Sequence, residues 1–254
     1  MALYLNILGF HIPSYGFMIT LGVITANLFA LYPLRKYKLN FDDMLILEAY
    51  TLLGAFLGAK LLYLFISYRD IDWSRMLEPQ YFNYIMQSGF VFYGGLIGGL
   101  LLFLLAGKIH HIDWKPFIHL IYLIPGIHGF GRIGCFLAGC CYGIPYDGPF
   151  AVQFPEHSIA PSDTTLFPVQ LVEAICLLIL AVVLAILDLK KSYSHTIAIY
   201  FIVYGILRFL LEYVRYDAVR GHLFALSTSQ WISIGFVVGT ICYLIRTSVS
   251  RKKA

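Results

Sequence analysis

Seven stretches of this chain, at about 14–33, 43–66, 89–107, 116–131, 168–188, 195–214 and 228–247, are long and apolar enough to fix the solvent in which it folds. A helix that crosses a bilayer needs roughly 20 mostly apolar residues. Only a helix or a closed barrel satisfies its own backbone groups where water is absent. Of 254 residues, 59% are hydrophobic and 13% are charged, against about a quarter charged in a soluble domain. One soluble core of this size cannot hide so much apolar surface. The sequence therefore predicts an all-α integral membrane protein of about seven transmembrane helices. The apolar segments fill most of the length, so residues 1–254 are expected to form a single transmembrane domain with an outer-face loop region at 132–167. The start lacks the basic region and the small-residue cleavage site of a signal peptide.

Charge sets the orientation. Arg35, Lys36 and Lys38 follow the first segment, Lys108 and Lys115 the third, Lys190 and Lys191 the fifth, and Arg246, Arg251, Lys252 and Lys253 the last. The opposite loops mix Arg69, Arg75, Arg215 and Arg220 with Asp70, Asp72, Glu78 and Asp217. Basic loops stay cytoplasmic, which puts the N-terminus outside and the C-terminus in the cytoplasm. The net charge of +4 is thus a topology signal and implies no nucleic-acid partner. The Arg132–Phe167 stretch and the Arg208–Glu212 end of the sixth segment then share the outer face.

Polar side chains inside the segments, Glu48, Lys60, Glu173, Arg208 and Glu212 among them, are expected to face the bundle interior. The fourth segment is the weakest, because Pro125, Gly126 and Gly129 interrupt it. Just beyond it, Gly131-Arg132-Ile133-Gly134-Cys135 through Gly139-Cys140-Cys141-Tyr142-Gly143 sets an arginine among glycines. One arginine at a membrane edge fits snorkelling, or a carboxylate partner such as Glu212. Arg132 and Arg208 converging on one face beside glycines favour phosphate binding, since a guanidinium fork matches phosphate oxygens, with a structural ion-pair ladder through Arg208, Glu212 and Arg215 as the rival. Arg208, Glu212 and Arg215 are spaced for one side of a helix. Three of the five cysteines cluster here without Cys-x-x-Cys or histidine-pair spacing. That spacing argues against a metal and fits small apolar fillers. His128 precedes Arg132 by one helical turn. Tyr93-Gly94-Gly95-Leu96-Ile97-Gly98-Gly99 reads first as a close helix-packing surface and second as an opening for a lipid headgroup. Tyr15-Gly16 has the same double reading.

These motifs resemble, in order and almost end to end, the prolipoprotein diacylglyceryl transferase family of bacterial membrane enzymes. Pro13-Ser14-Tyr15-Gly16 is similar to its tyrosine-glycine start, and Tyr93-Gly94-Gly95 to its histidine-glycine-glycine segment. Gly131-Arg132-Ile133-Gly134 opens its signature and Gly143 closes it. Pro168-Val169-Gln170-Leu171-Val172-Glu173 resembles its Pro-x-Gln-Leu-x-Glu stretch. Arg208-Phe209 through Glu212 and Arg215 is similar to its Arg-Phe-x-x-Glu-x-x-Arg helix, and Ser229-Gln230 through Ser233 to its last span.

The resemblance implies transfer of diacylglyceryl from phosphatidylglycerol to the lipobox cysteine of a prolipoprotein signal peptide, in the bacterial cytoplasmic (inner) membrane and without a cofactor. Arg132 and Arg208 would hold the phosphate, Glu212 would orient Arg208, and Tyr15 would line the lipid site. Gly94, Gly95, Gly131, Gly134, Cys135, Cys140, Gly143 and Gln170 fall at its substrate-binding positions. The chain departs from the pattern at Tyr93 and Phe167, where the family has histidine, at Cys135, where it has asparagine, and at Cys140, where it has glutamate. With Tyr93 a poor base at neutral pH, His128 is expected to replace the absent histidine in part, leaving Tyr93 to orient the headgroup. A paralogue that moves a glyceryl-lipid group to another acceptor, or a non-catalytic phospholipid-binding membrane protein, would keep the same arginines. Single cysteines placed in 132–167 of a cysteine-free background should be labelled from outside the cell only. Labelling from the cytoplasm would remove the outer-leaflet substrate.

Overall fold

The computed structural model describes residues 3–253 except 8, 88, 192–194 and 217–221. Asp217 and Arg220, assigned from the sequence to an outer loop, lie outside the described residues. Eight helices are described: α1 (Ser14–Tyr37), α2 (Phe41–Ile66), α3 (Pro79–Gln87), α4 (Phe92–Ile109), α5 (Leu123–Ala138), α6 (Val169–Lys191), α7 (Thr196–Leu211) and α8 (Thr228–Lys253). Strands occur only as short antiparallel hairpins among the described residues, the first pairing Tyr4–Ile7 with Phe10–Pro13. Among the described residues, five helices are long and apolar enough to cross a membrane, α1, α2, α6, α8 and α7 continued by its terminal turn to Val214, while α4 and α5 are shorter apolar helices. The protein is a multi-pass helical membrane protein. The chain divides into two compact units, Leu34–Phe117 and the remainder.

In the Leu34–Phe117 unit, Asn40 starts α2 two residues earlier than the apolar pattern suggests. Its side chain accepts a hydrogen bond from the Asp42 backbone N–H, and Asp42 and Asp43 lie at the positive end of the helix. α2 and α4 meet along a seam of glycines. A Cβ added at Gly58 would collide with the Gly94 carbonyl oxygen, and one at Gly54 with that of Gly98. Without a hydrophobic force between helices in lipid, such close backbone approach is what holds them. Lys60 of α2 is buried, donates to the Ile85 carbonyl of α3, and lies 4.9 Å from the ring centres of Tyr63 and Phe90. α3 falls in a segment read from the sequence as loop; its nine residues are too few to cross a bilayer.

In the other unit, α5, α6 and α7 pack around Tyr122, Leu180, Leu184 and Tyr200. The fourth apolar segment differs from its expected bounds. Residues Lys115–Leu120 form a 3-10 helix, and α5 runs from Leu123 to Ala138. Pro125 does not interrupt α5 because it is the third residue, where the N–H has no intrahelical acceptor to lose. The glycines serve contact: Gly129 faces Leu178 of α6, and Gly134 faces Tyr15 and Met18 of α1. The first seven residues of the stretch expected as loop, Arg132 to Ala138, are therefore helical. α7 stops at Leu211, followed by a 3-10 turn over Glu212–Val214 and an extended Arg215. Arg215 thus leaves the helical face it was expected to share with Arg208 and Glu212. α8 begins with a reciprocal cap in which the Ser227 N–H donates to Gln230 Oε1 and the Gln230 N–H donates to Ser227 Oγ.

Leucine in place of Gly58 should separate α2 from α4 and lower the thermal unfolding midpoint in detergent. The expected loss is about 1–3 kcal/mol, as for other overpacked cores. Gly235→Leu, where an added Cβ meets nothing within 4 Å, should leave the midpoint nearly unchanged.

Candidate functional site

The helical run of α5 through the signature places His128, Arg132 and Cys135 on one face, at intervals of four and three residues. Facing them, α6 opens with Gln170 and Glu173 in its first turns, where the positive end of the helix favours a carboxylate. α7 adds Tyr204 and Arg208, one turn apart.

Glu173, 1% exposed, is the centre of this arrangement. Its Oε2 lies 2.5 Å from Arg132 Nη2 and 4.0 Å from Arg215 Nη1. Its Oε1 accepts a 3.4 Å hydrogen bond from the Tyr204 hydroxyl and lies 3.9 Å from His128 Nε2. The His128 ring stands edge-on to Tyr204 with centres 5.2 Å apart. Arg208 Nη2 lies 2.8 Å from Glu212 Oε2 and donates to Ser229 Oγ at 3.3 Å. The capped start of α8 thereby fixes Arg208 from its second side. His128 is in electrostatic reach of Glu173, Arg132 and Arg208 together.

Three guanidinium groups, of Arg132, Arg208 and Arg215, share two carboxylates, of Glu173 and Glu212. Arg132 Nε and Arg208 Nη1 are buried and have no hydrogen-bond partner among the described residues. A buried donor left unmatched costs about 1–3 kcal/mol, so this cluster is suited to an anion that brings acceptor oxygens.

The cysteines converge because of how α5 ends. Gly139 takes a left-handed conformation (φ 74°), and the Cys140 N–H reaches back to the Cys135 carbonyl, the helix-terminating pattern glycine makes accessible. Gln170, fully buried, donates to the Cys140 carbonyl at 2.9 Å and pins the turn to α6. Cys141 also has positive φ (57°). The three sulfur atoms of Cys135, Cys140 and Cys141 lie within 4.8 Å of one another, and Arg132 Nη1 is 3.8 Å from Cys135 Sγ. The Cys141 thiol is drawn well below its ordinary range, chiefly by hydrogen bonds from the Cys135 and Cys140 thiols and then by the Arg215 and Arg132 charges. Spacing alone suggested small apolar fillers. The turn instead makes a thiol cluster beside two arginines.

The other expected residues have definite places. Tyr15 of α1 packs on Gly134 and is in electrostatic reach of Arg132 and all three thiols. An added Cβ at Gly131 would meet Ile19 at 2.9 Å. Gly143 is paired with Arg215 in a β-bridge, and an added Cβ there would strike the Phe167 carbonyl oxygen. Its smallness is what lets the Cys turn lie against the strand that delivers Arg215. Tyr93, Gly94 and Gly95 open α4 in the Leu34–Phe117 unit, with Gly94 and Gly95 in the seam against α2. The sequence placed Glu173 in the bundle interior, Arg215 on the Arg208 face and Ser229 in a motif without giving any of them a site role, and it did not single out Tyr204. Two buried arginines demanded more carboxylate than Glu212 alone could supply, and that demand pointed to Glu173.

The family described as Prolipoprotein diacylglyceryl transferase matches residues 2–246. The chain is 36% identical to phosphatidylglycerol–prolipoprotein diacylglyceryl transferase 2 of Clostridium perfringens, covering 98% of this chain and 96% of that protein. It is 35% identical to the phosphatidylglycerol–prolipoprotein diacylglyceryl transferase of Clostridium tetani over 92% of each. Its identity to the protein of the same name in Bordetella avium is 31%, over 97% of this chain and 94% of that one. The chain belongs to the prolipoprotein diacylglyceryl transferase family.

Proposed function

We propose that this protein transfers the diacylglyceryl group of phosphatidylglycerol to the lipobox cysteine thiol of prolipoproteins. Family membership over nearly the whole chain supports the reaction. The observation that carries the site is the buried arginine cluster around Glu173, with Arg132 Nε and Arg208 Nη1 left unmatched.

The substrate phosphodiester has one negative charge. Attack by sulfur on the glycerol carbon forms an S–C bond and breaks the C–O bond to phosphate, so the leaving glycerol phosphate gains a second negative charge. Arg132 and Arg208, with unmatched donors at Nε and Nη1, hold that phosphate and stabilise the charge as it develops. Glu212 and Ser229 orient Arg208; Glu173 orients Arg132 and tempers Arg215. His128 takes the thiol proton, with Tyr204 and Glu173 fixing its ring. Tyr15, Gly131, Gly134, Cys135, Cys140, Gly143 and Gln170 shape the lipid side of the site. In this reading the chain works as a single domain of seven passes in the bacterial cytoplasmic membrane, N-terminus outside, with the arginines at the outer leaflet. Basic clusters at the opposite ends of the helices support that orientation.

Mass spectrometry of a lipobox peptide incubated with purified protein and phosphatidylglycerol should show one diacylglyceryl group on the peptide cysteine. Unmodified peptide beside intact lipid would contradict the reading. Arg208→Lys should slow transfer about a hundredfold, since an ammonium cannot form the bidentate fork and one transition-state donor is worth that much.

Removing the hub should act on stability instead. Glu173→Ala leaves Arg132 and Arg215 buried without their shared carboxylate, and the expected cost is about 3–5 kcal/mol. Thermal unfolding in detergent measures it, and Glu173→Gln should fall between the two.

A further inference from the structure

We infer that Cys135, Cys140 and Cys141 form a zinc site whose fourth position receives the acceptor cysteine of the prolipoprotein. The inference rests on the thiol-alkylating function proposed above.

Three thiols within 4.8 Å of one another are what a tetrahedral zinc requires of three of its ligands. Zinc–sulfur bonds of about 2.3 Å put such sulfurs roughly 3.8 Å apart, a spacing these side chains reach by small rotations. The backbone is already arranged for it. Left-handed residues at Gly139 and Cys141, the Cys140-to-Cys135 backbone hydrogen bond and the Gln170 clasp on Cys140 hold the turn closed. A non-glycine residue such as Cys141 at positive φ persists only where its surroundings impose it, and such residues concentrate at functional sites. The described residues place no fourth histidine, cysteine or carboxylate with the three sulfurs. Three protein ligands with an open fourth position is the arrangement of a catalytic zinc, not a structural one. Cys140 and Cys141 are only half-buried, so a peptide can approach.

The chemistry fits the reaction. A thiol that coordinates zinc is deprotonated at neutral pH, and here its proton passes to His128. The zinc-bound sulfur keeps a lone pair, which forms the S–C bond to the glycerol carbon. The C–O bond breaks, and its electrons leave with the glycerol phosphate held by Arg132 and Arg208. The product is a neutral thioether, a far weaker ligand than a thiolate, so it leaves the metal. Cysteines at 135 and 140 would then supply the thiol activation that Tyr93, standing where the family has histidine, cannot.

The test is metal binding by the purified protein, first stripped with a chelator and then titrated with Zn²⁺ or Co²⁺. One equivalent should bind per chain, and each of Cys135→Ser, Cys140→Ser and Cys141→Ser should weaken binding at least about tenfold. The Co²⁺ form should show sulfur-to-cobalt absorption that grows on adding a lipobox peptide and not its cysteine-to-serine analogue. Stripping should slow diacylglyceryl transfer at least about tenfold, with recovery on adding Zn²⁺, a comparison that needs no variant to fold. A triple serine variant that binds Zn²⁺ as tightly as the parent, or stripped protein that transfers at full rate, overturns the zinc site; the second result leaves the transferase reading standing. Cysteine-dependent Zn²⁺ binding and a peptide-dependent Co²⁺ spectrum without any lipid transfer would uphold the site and remove the transferase reading.

Discussion

The interaction on which the rest of this structure depends is the contact of one carboxylate, Glu173, with groups from α5, α7 and the extended strand at Arg215. Burying arginines costs several kcal/mol each unless opposite charge and hydrogen bonds offset it. Glu173 meets Arg132 at 2.5 Å, Arg215 at 4.0 Å and the Tyr204 hydroxyl at 3.4 Å, almost fully shielded from water. Each contact is made by a different element, so the carboxylate fixes their relative positions. Shape comes from glycines and charge from the hub.

Buried guanidinium groups with donors left over are the second constraint: they favour a ligand that brings acceptor oxygens and negative charge, such as a phosphodiester headgroup, over an uncharged lipid. The unmatched donors are those on Arg132 and Arg208.

Much of this was legible in the sequence because bilayer physics is strict. Among the described residues, apolar length alone located the five helices long enough to cross a membrane, and the Arg208–Glu212 pair followed from one-turn spacing. The errors came where tertiary contact overrides local signals. Pro125 and Gly129 looked like breaks, yet one stands in a first turn that lacks hydrogen bonds anyway and the other admits Leu178. Arg215 looked helical, but the chain leaves α7 at Leu211 to pair with Gly143. The thiol cluster was hidden because its convergence depends on Gly139 reversing the chain, and spacing rules for metal ligands do not record such a reversal. Glu173 was visible as a buried charge, but its partners are 31 or more residues away in the chain on one side and an antiparallel helix away on the other.

The central claim is that this buried cluster is a receptor for a lipid phosphate. Native mass spectrometry of the detergent-solubilised protein, offered phosphatidylglycerol and diacylglycerol with the same acyl chains, tests it most directly. The account predicts a one-to-one complex that favours phosphatidylglycerol by more than about tenfold, the least that one charge-assisted hydrogen bond supplies, with the preference lost in Arg132→Gln. Equal binding of the two lipids, or a preference that survives Arg132→Gln, would contradict it.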